Sequence, residues 1–92
     1  MAGYKLGTTI IFSVEITMAN GEYKSPSTSM KITIIAPDQS KDVDGVAMTE
    51  NRAGCFSHNW DSATKALGNW TVEYEANDGG IISYGEDTFK LE

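Results

Sequence analysis

Across residues 8–19 the chain alternates strictly between apolar and polar positions. Ile10, Phe12, Val14, Ile16 and Met18 fall on one phase, and Ile11, Ser13, Glu15 and Thr17 on the other. A helix cannot gather a period of two onto one side, whereas a strand does so at every step. The β-branched residues of the run also suit a pleated surface. Asn20-Gly21 closes it with turn chemistry, and residues 22–27, interrupted by Pro26, read as a loop. A second strand carries Met30, Ile32, Ile34 and Ala36 inward and Lys31, Thr33 and Ile35 outward. Pro37 stops it, because proline has no N–H to give to a ladder.

The polar stretch 38–45 reads as a loop, residues 46–50 as a short strand near an edge, and 51–54 as a turn. Phe56, His58 and Trp60 then alternate with Cys55, Ser57 and Asn59. In the stretch 61–69, Asp61 or Ser62 suits a helix cap. Ala63, Lys65, Ala66 and Leu67 favour helix and Gly68 ends it, so one helical turn is expected near 61–67. Trp70, Val72, Tyr74 and Ala76 alternate with Thr71, Glu73 and Glu75. Asn77-Asp78-Gly79-Gly80 is a strong hairpin signal. In the last strand, from 81 to about 91, Ile82 and Tyr84 are out of step with Phe89 and Leu91. Gly85 between them predicts a bulge that flips the alternation. Six to seven strands with at most one helical turn define an all-β, antiparallel β-sandwich. Its expected core is Ile10, Phe12, Val14, Ile16, Ile32, Ile34, Phe56, Trp60, Trp70, Val72, Tyr74 and Phe89.

Composition narrows the partners. The 92 residues make one small domain, and 40% hydrophobic residues can fill one core. Seven basic against thirteen acidic residues give a net charge of −6, which argues against binding the phosphate backbone of a nucleic acid. No apolar run approaches the roughly 18 residues of a membrane span, so no membrane insertion is expected. One cysteine excludes an internal disulfide, and one histidine leaves little for metal or triad chemistry. Met1-Ala2-Gly3 carries neither the basic nor the apolar region of a signal peptide. Leu91-Glu92 resembles the junction of a C-terminal tag. Residues 1–92 are therefore expected to be a single domain taken from a larger protein whose targeting signals lie elsewhere.

Several short segments carry a family resemblance. Lys31-Ile32-Thr33-Ile34-Ile35-Ala36-Pro37-Asp38 resembles the strand and Pro-Asp step of immunoglobulin-like modules in bacterial and archaeal surface proteins, and macroglobulin-type domains are similar there. Gly54-Cys55-Phe56 matches their Gly-aromatic strand, Leu67-Gly68-Asn69-Trp70-Thr71-Val72 their Leu-Gly-x-aromatic-x-Val segment, and Phe89-Lys90-Leu91 their closing strand. Tyr4-Lys5-Leu6-Gly7-Thr8 resembles the turn before their first long strand. The resemblance spans roughly residues 4 to 91. The arrangement of paired cysteines around a core tryptophan in antibody domains is absent, as are the thioester and bait segments of macroglobulins. What the resemblance implies is an immunoglobulin-like stalk, spacer or adhesion module, extracytoplasmic or on the cell surface, without catalytic residues.

The chemistry-bearing residues fit that expectation. Asp38, Asp42 and Asp44-Gly45 form the most acidic stretch, and Asp61 and Ser62 would lie at the same end of a sandwich. The spacing of a calcium loop and its distal glutamate are absent, so no metal or other cofactor is expected. His58 shares a phase with Phe56 and Trp60 and fits a semi-buried filler. Cys55, with Arg52 as its one near cation, fits an inert thiol. Glu73 and Glu75 share an outer face where Lys31 can sit opposite one of them, which is a solvated strand face rather than a catalytic pair. Asn69-Trp70-Thr71 matches the N-glycosylation sequon. Most aromatics fall on inward phases, leaving Tyr4, Tyr23 and Tyr84 for recognition. The loops of one sandwich end would present Glu22, Tyr23, Lys24, Arg52, Asn77 and Asp78, the candidate ligand or partner surface. The expectation is a non-catalytic structural or spacer module whose partners are neighbouring domains of its parent chain. The alternative is a carbohydrate- or protein-binding module that uses this loop end.

Overall fold

The computed structural model describes residues 2–17, 20–22 and 29–92. They form eight strands: β1 (Ala2–Tyr4), β2 (Thr9–Glu15), β3 (Ser29–Ile35), β4 (Lys41–Ala47), β5 (Thr49–Arg52), β6 (Cys55–Asp61), β7 (Gly68–Asp78) and β8 (Ile81–Leu91). A five-stranded sheet in the order β1-β8-β7-β3-β4 faces a three-stranded sheet in the order β2-β6-β5. Among the described strands all pairs are antiparallel except one. β1 runs parallel to the end of β8, with Ala2, Gly3 and Tyr4 opposite Phe89, Lys90 and Leu91, where antiparallel pairing alone was expected.

The inward phases meet between the sheets. Ile10, Phe12, Ile32, Ile34, Phe56, Trp60, Trp70, Val72 and Phe89 are buried as expected. Val14, Ile16 and Tyr74 pack partly against them, and Met30, Ala36, Met48, Ala76 and Leu91 complete the core. Its centre is aromatic. Trp60 lies edge-on to Trp70 at 4.9 Å and to Phe89 at 5.6 Å, Phe12 sits 5.3 Å from Phe89, and Tyr4 meets Phe89 edge-on at 6.2 Å. Edge-on and offset rings are the arrangements their quadrupoles favour. Tyr4 is thereby drawn against the core rather than left for recognition.

Four segments depart from expectation, each for a local reason. Residues 41–47 are a strand, not a loop. β4 is the outermost strand of its sheet and bends through two register shifts against β3. A strand in that position faces water, so Lys41, Asp42, Asp44 and Gly45 are compatible with it. The expected single strand over 46–50 is divided at Met48, whose buried side chain and N–H (bonded to the Met30 carbonyl at 2.9 Å) mark the crossing from one sheet to the other.

No helix occurs among the described residues. At 61–67 the chain makes only a turn, with Lys65 N–H on the Ser62 carbonyl at 3.1 Å. Ser62 is fully buried. Its hydroxyl donates to the Thr8 carbonyl (2.6 Å) and accepts from Gly7 N–H (3.0 Å), which pins the segment to the start of β2. A lone helical turn has no such compensation for its costly nucleus.

The fourth correction is at Gly85. The β7–β8 register is unbroken from Gly68 opposite Leu91 to Asp78 opposite Ile81, so there is no bulge. Ile82 and Tyr84 instead occupy the outer face. Tyr74, directly across from Gly85, packs against it: a Cβ built at Gly85 would lie 3.8 Å from the Tyr74 ring, an ordinary contact. Its φ is not positive either. Gly85→Ala is therefore expected to raise stability by about 0.5 kcal/mol by restricting the unfolded chain. A urea melt showing a loss of about 1 kcal/mol or more would contradict the straight ladder.

Candidate functional site

Two ends of the sandwich carry the polar side chains singled out by the sequence. At the first, the exit of β2, the start of β3, the β5–β6 turn and the β7–β8 hairpin come together. Ile16 N–H bonds the Gly54 carbonyl at 2.7 Å, tying the exit of β2 to the β5–β6 turn, and Ser29 pairs with Asn77. The hairpin turn is Gly79-Gly80, with φ of 61° and 93°. Such a turn matches the strand twist and suits glycine at both positions.

The expected loop-end side chains are differently committed. Tyr23 and Lys24 lie outside the described residues. Glu22 is exposed, its N–H on the Asn20 side-chain oxygen at 3.1 Å. Arg52 Nε donates to Cys55 Sγ at 3.3 Å. Asn77 is half-buried, and its side-chain oxygen takes the Gly80 N–H at 2.9 Å, holding its own turn. Asp78 is half-buried at the last rung of the hairpin. Arg52 and Asn77 thus stand on different sheets, each engaged within its own turn.

At the opposite end a cleft of about 380 Å³ is lined by Pro37, Asp38, Ser40, Asp42, Lys65 and Trp70, among others. The carboxylates expected in an acidic loop are dispersed by the fold. Asp38 caps its own turn: its Oδ1 accepts the Ser40 hydroxyl (2.5 Å) and N–H (3.0 Å), and these bonds, the hydroxyl's first, hold its carboxyl below the ordinary 3.8. Asp44 stands 3.8 Å from Lys41. Asp61 caps the turn after β6 through Ala63 N–H at 3.0 Å.

Asp42 does something the sequence did not disclose. One oxygen accepts the indole N–H of Trp60 at 2.7 Å, and the other meets Lys65 Nζ at 2.9 Å. Lys65 also lies 6.0 Å from the centre of the Trp60 ring. Burial acts to raise the Asp42 pKa, but the bond from Trp60, the bond from Lys65 and the lysine's charge outweigh it, leaving the carboxyl below 3.8. Asp42 therefore joins edge strand β4, the core indole and the β6–β7 connection. Asp42 is 18 residues from Trp60 and 23 from Lys65, and no local spacing signals the meeting.

The remaining reactive groups sit apart. Cys55 and His58 fall on opposite faces of β6, His58 half-buried opposite Phe12. Lys31 pairs with Glu75, as the expected register required. Asn69 is exposed at the start of β7. Tyr74, half-buried, has its hydroxyl pKa raised above 10.0 by burial first and then by the negative charge of Asp87. Comparison with family models, with curated proteins and with solved structures gives no match for this chain.

Proposed function

We propose that the chain is an immunoglobulin-like structural module, a non-catalytic spacer in an extracytoplasmic or cell-surface multidomain protein, with neighbouring domains as its partners. The observation that carries this reading is the parallel β1–β8 pair. Because the two terminal strands run the same way, a chain continued at both ends would approach along one direction of the strand axis and leave along the other. The molecule measures 38 × 20 × 20 Å, so such a module separates its neighbours along its long dimension. Tension on the two ends would shear the β1–β8 rungs together, supported by Leu6 N–H on the Glu92 carbonyl and Glu92 N–H on the Tyr4 carbonyl, both 2.9 Å.

Force spectroscopy tests this. The chain held at its two ends is expected to unfold in one event, at a clearly higher force than the chain held at positions 69 and 90. There β7 and β8 would peel apart one rung at a time. Equal or lower force through the ends would remove the support for a load-bearing spacer. The meeting of the ends of β2 and β3 with the β5–β6 turn and β7, through Ile16 with Gly54 and Ser29 with Asn77, supports a second reading, a carbohydrate- or protein-binding module that uses Glu22, Tyr23, Lys24, Arg52, Asn77 and Asp78.

A further inference from the structure

The geometry points to the outer edge of β8 as a docking site for an extended, basic segment of a partner protein, added to the five-stranded sheet as a further strand. This goes beyond the spacer reading and does not depend on it. β1 covers only the last three residues of β8. In a two-residue hairpin the closing pair, here Asp78 and Ile81, is hydrogen-bonded, so odd-numbered residues of β8 face β7. Ile82, Tyr84 and Glu86 then turn their N–H and C=O groups to the open edge. Thr88 N–H, on the same phase, is taken by the Asp87 side chain at 2.8 Å. A row of outward backbone groups is a template for another strand, and natural edges are usually blunted by lysine, proline or a bulge. Residues 81–88 contain no lysine, proline or bulge, their one inward-phase charge is Asp87 beside the end covered by β1, and their apolar side chains are open: Ile81 is 74%, Ile82 46% and Tyr84 74% exposed.

The surroundings specify the occupant. Beside this edge, between β2 and β8, lies a groove of about 200 Å³ lined by Val14, Ile16, Met30, Tyr74 and Ala76, with Glu15 at its margin. An added strand alternates its side chains, one set toward this groove and the other toward the outer face beside Tyr84, Glu75 and Glu86. The inward set must be apolar. On the outer face of the β7–β8 hairpin three carboxylates, Glu73, Glu75 and Glu86, stand with one lysine, Lys90, so the complementary outward set is basic. A second copy of this chain would bring a second acidic hairpin to the same edge and is disfavoured by like charge.

The probe is a capped heptapeptide alternating lysine and valine, with its glutamate–valine counterpart as control, titrated into the isotopically labelled chain. The lysine peptide is expected to shift the amides of Ile82, Tyr84 and Glu86, with binding weakened by salt; the glutamate peptide is expected to leave them unmoved. Tyr84→Pro removes one outward N–H while sparing the β7 ladder, and should weaken binding about tenfold or more. Should that variant misfold, Tyr84→Lys serves in its place, placing a repelling charge on the same edge. Equal binding of both peptides, shifts confined to the β4 edge, or no shift at all would overturn the proposal. So would concentration-dependent dimerisation of the chain alone that moves the same amides, since the edge would then serve a second copy.

Discussion

Trp70→Ala is expected to destabilise the protein by about 3–5 kcal/mol. Trp70 is only 3% exposed, and it loses more than buried area when truncated. Its ring stacks at 16° on Phe89, its cross-strand partner, and takes the edge of Trp60 at 4.9 Å. Its indole N–H donates to the Ala66 carbonyl at 2.9 Å, so the side chain also holds the β6–β7 turn. Against a total stability of about 5–14 kcal/mol for a domain of this size, that is a large fraction of what holds the fold. Chemical denaturation shows the effect directly; a loss of only about 1 kcal/mol would mean that the aromatic centre is not packed as described.

Asp42→Ala is the next largest, expected to cost about 2 kcal/mol at neutral pH. The substitution leaves the indole N–H of buried Trp60 and the ammonium of Lys65 without their shared acceptor. The pH dependence has a definite sign. A carboxyl whose pKa is lowered by folding stabilises the native state fully above its unfolded value, here 3.8, and that contribution fades as pH falls through the lowered folded value. The gap between the parent and Asp42→Ala should therefore be constant from neutral pH down to about 5 and narrow below 3.8. A gap that persists undiminished at pH 2 would assign the effect to packing rather than to the ionised carboxylate.

The places where sequence reasoning succeeded and failed follow one physical division. Alternation is local, and burial of one strand face is a demand every sandwich makes. The inward phases of β2, β3, β6 and β7 were therefore legible, and so was the hairpin at Gly79-Gly80, whose turn chemistry is contained in four residues. β4 was misread because an edge strand need not alternate. Its polar residues resemble a loop until a neighbour, β3, supplies the ladder. Gly85 was misread because the phase of Ile82 and Tyr84 was taken to need reconciling with that of Phe89 and Leu91, although the aromatic pattern itself leaves Tyr84 for the surface, where it is 74% exposed. The shift of phase at Gly85 then demanded a bulge, where the strand simply leaves Ile82 and Tyr84 in water. Of the expected loop end, the structure shows the ends of β2 and β3 tied to the β5–β6 turn and to β7, through Ile16 with Gly54 and Ser29 with Asn77. The chemistry of that end was not legible, since Arg52 and Asn77 bond within their own turns.

By itself, then, the sequence determined an all-β chain with one aromatic-rich core, because period-two patterning and turn residues act over a few positions. Only the tertiary structure decided which strands are neighbours, that β1 closes in parallel on β8, and that Asp42 serves Trp60 and Lys65 rather than an acidic loop. Among the described residues it also left most of the β8 edge, with exposed Ile81, Ile82 and Tyr84, without a neighbouring strand. These are meetings of residues far apart in the chain. They are settled by which pairings satisfy backbone hydrogen bonds and bury the same core at once, and no local pattern encodes that joint condition.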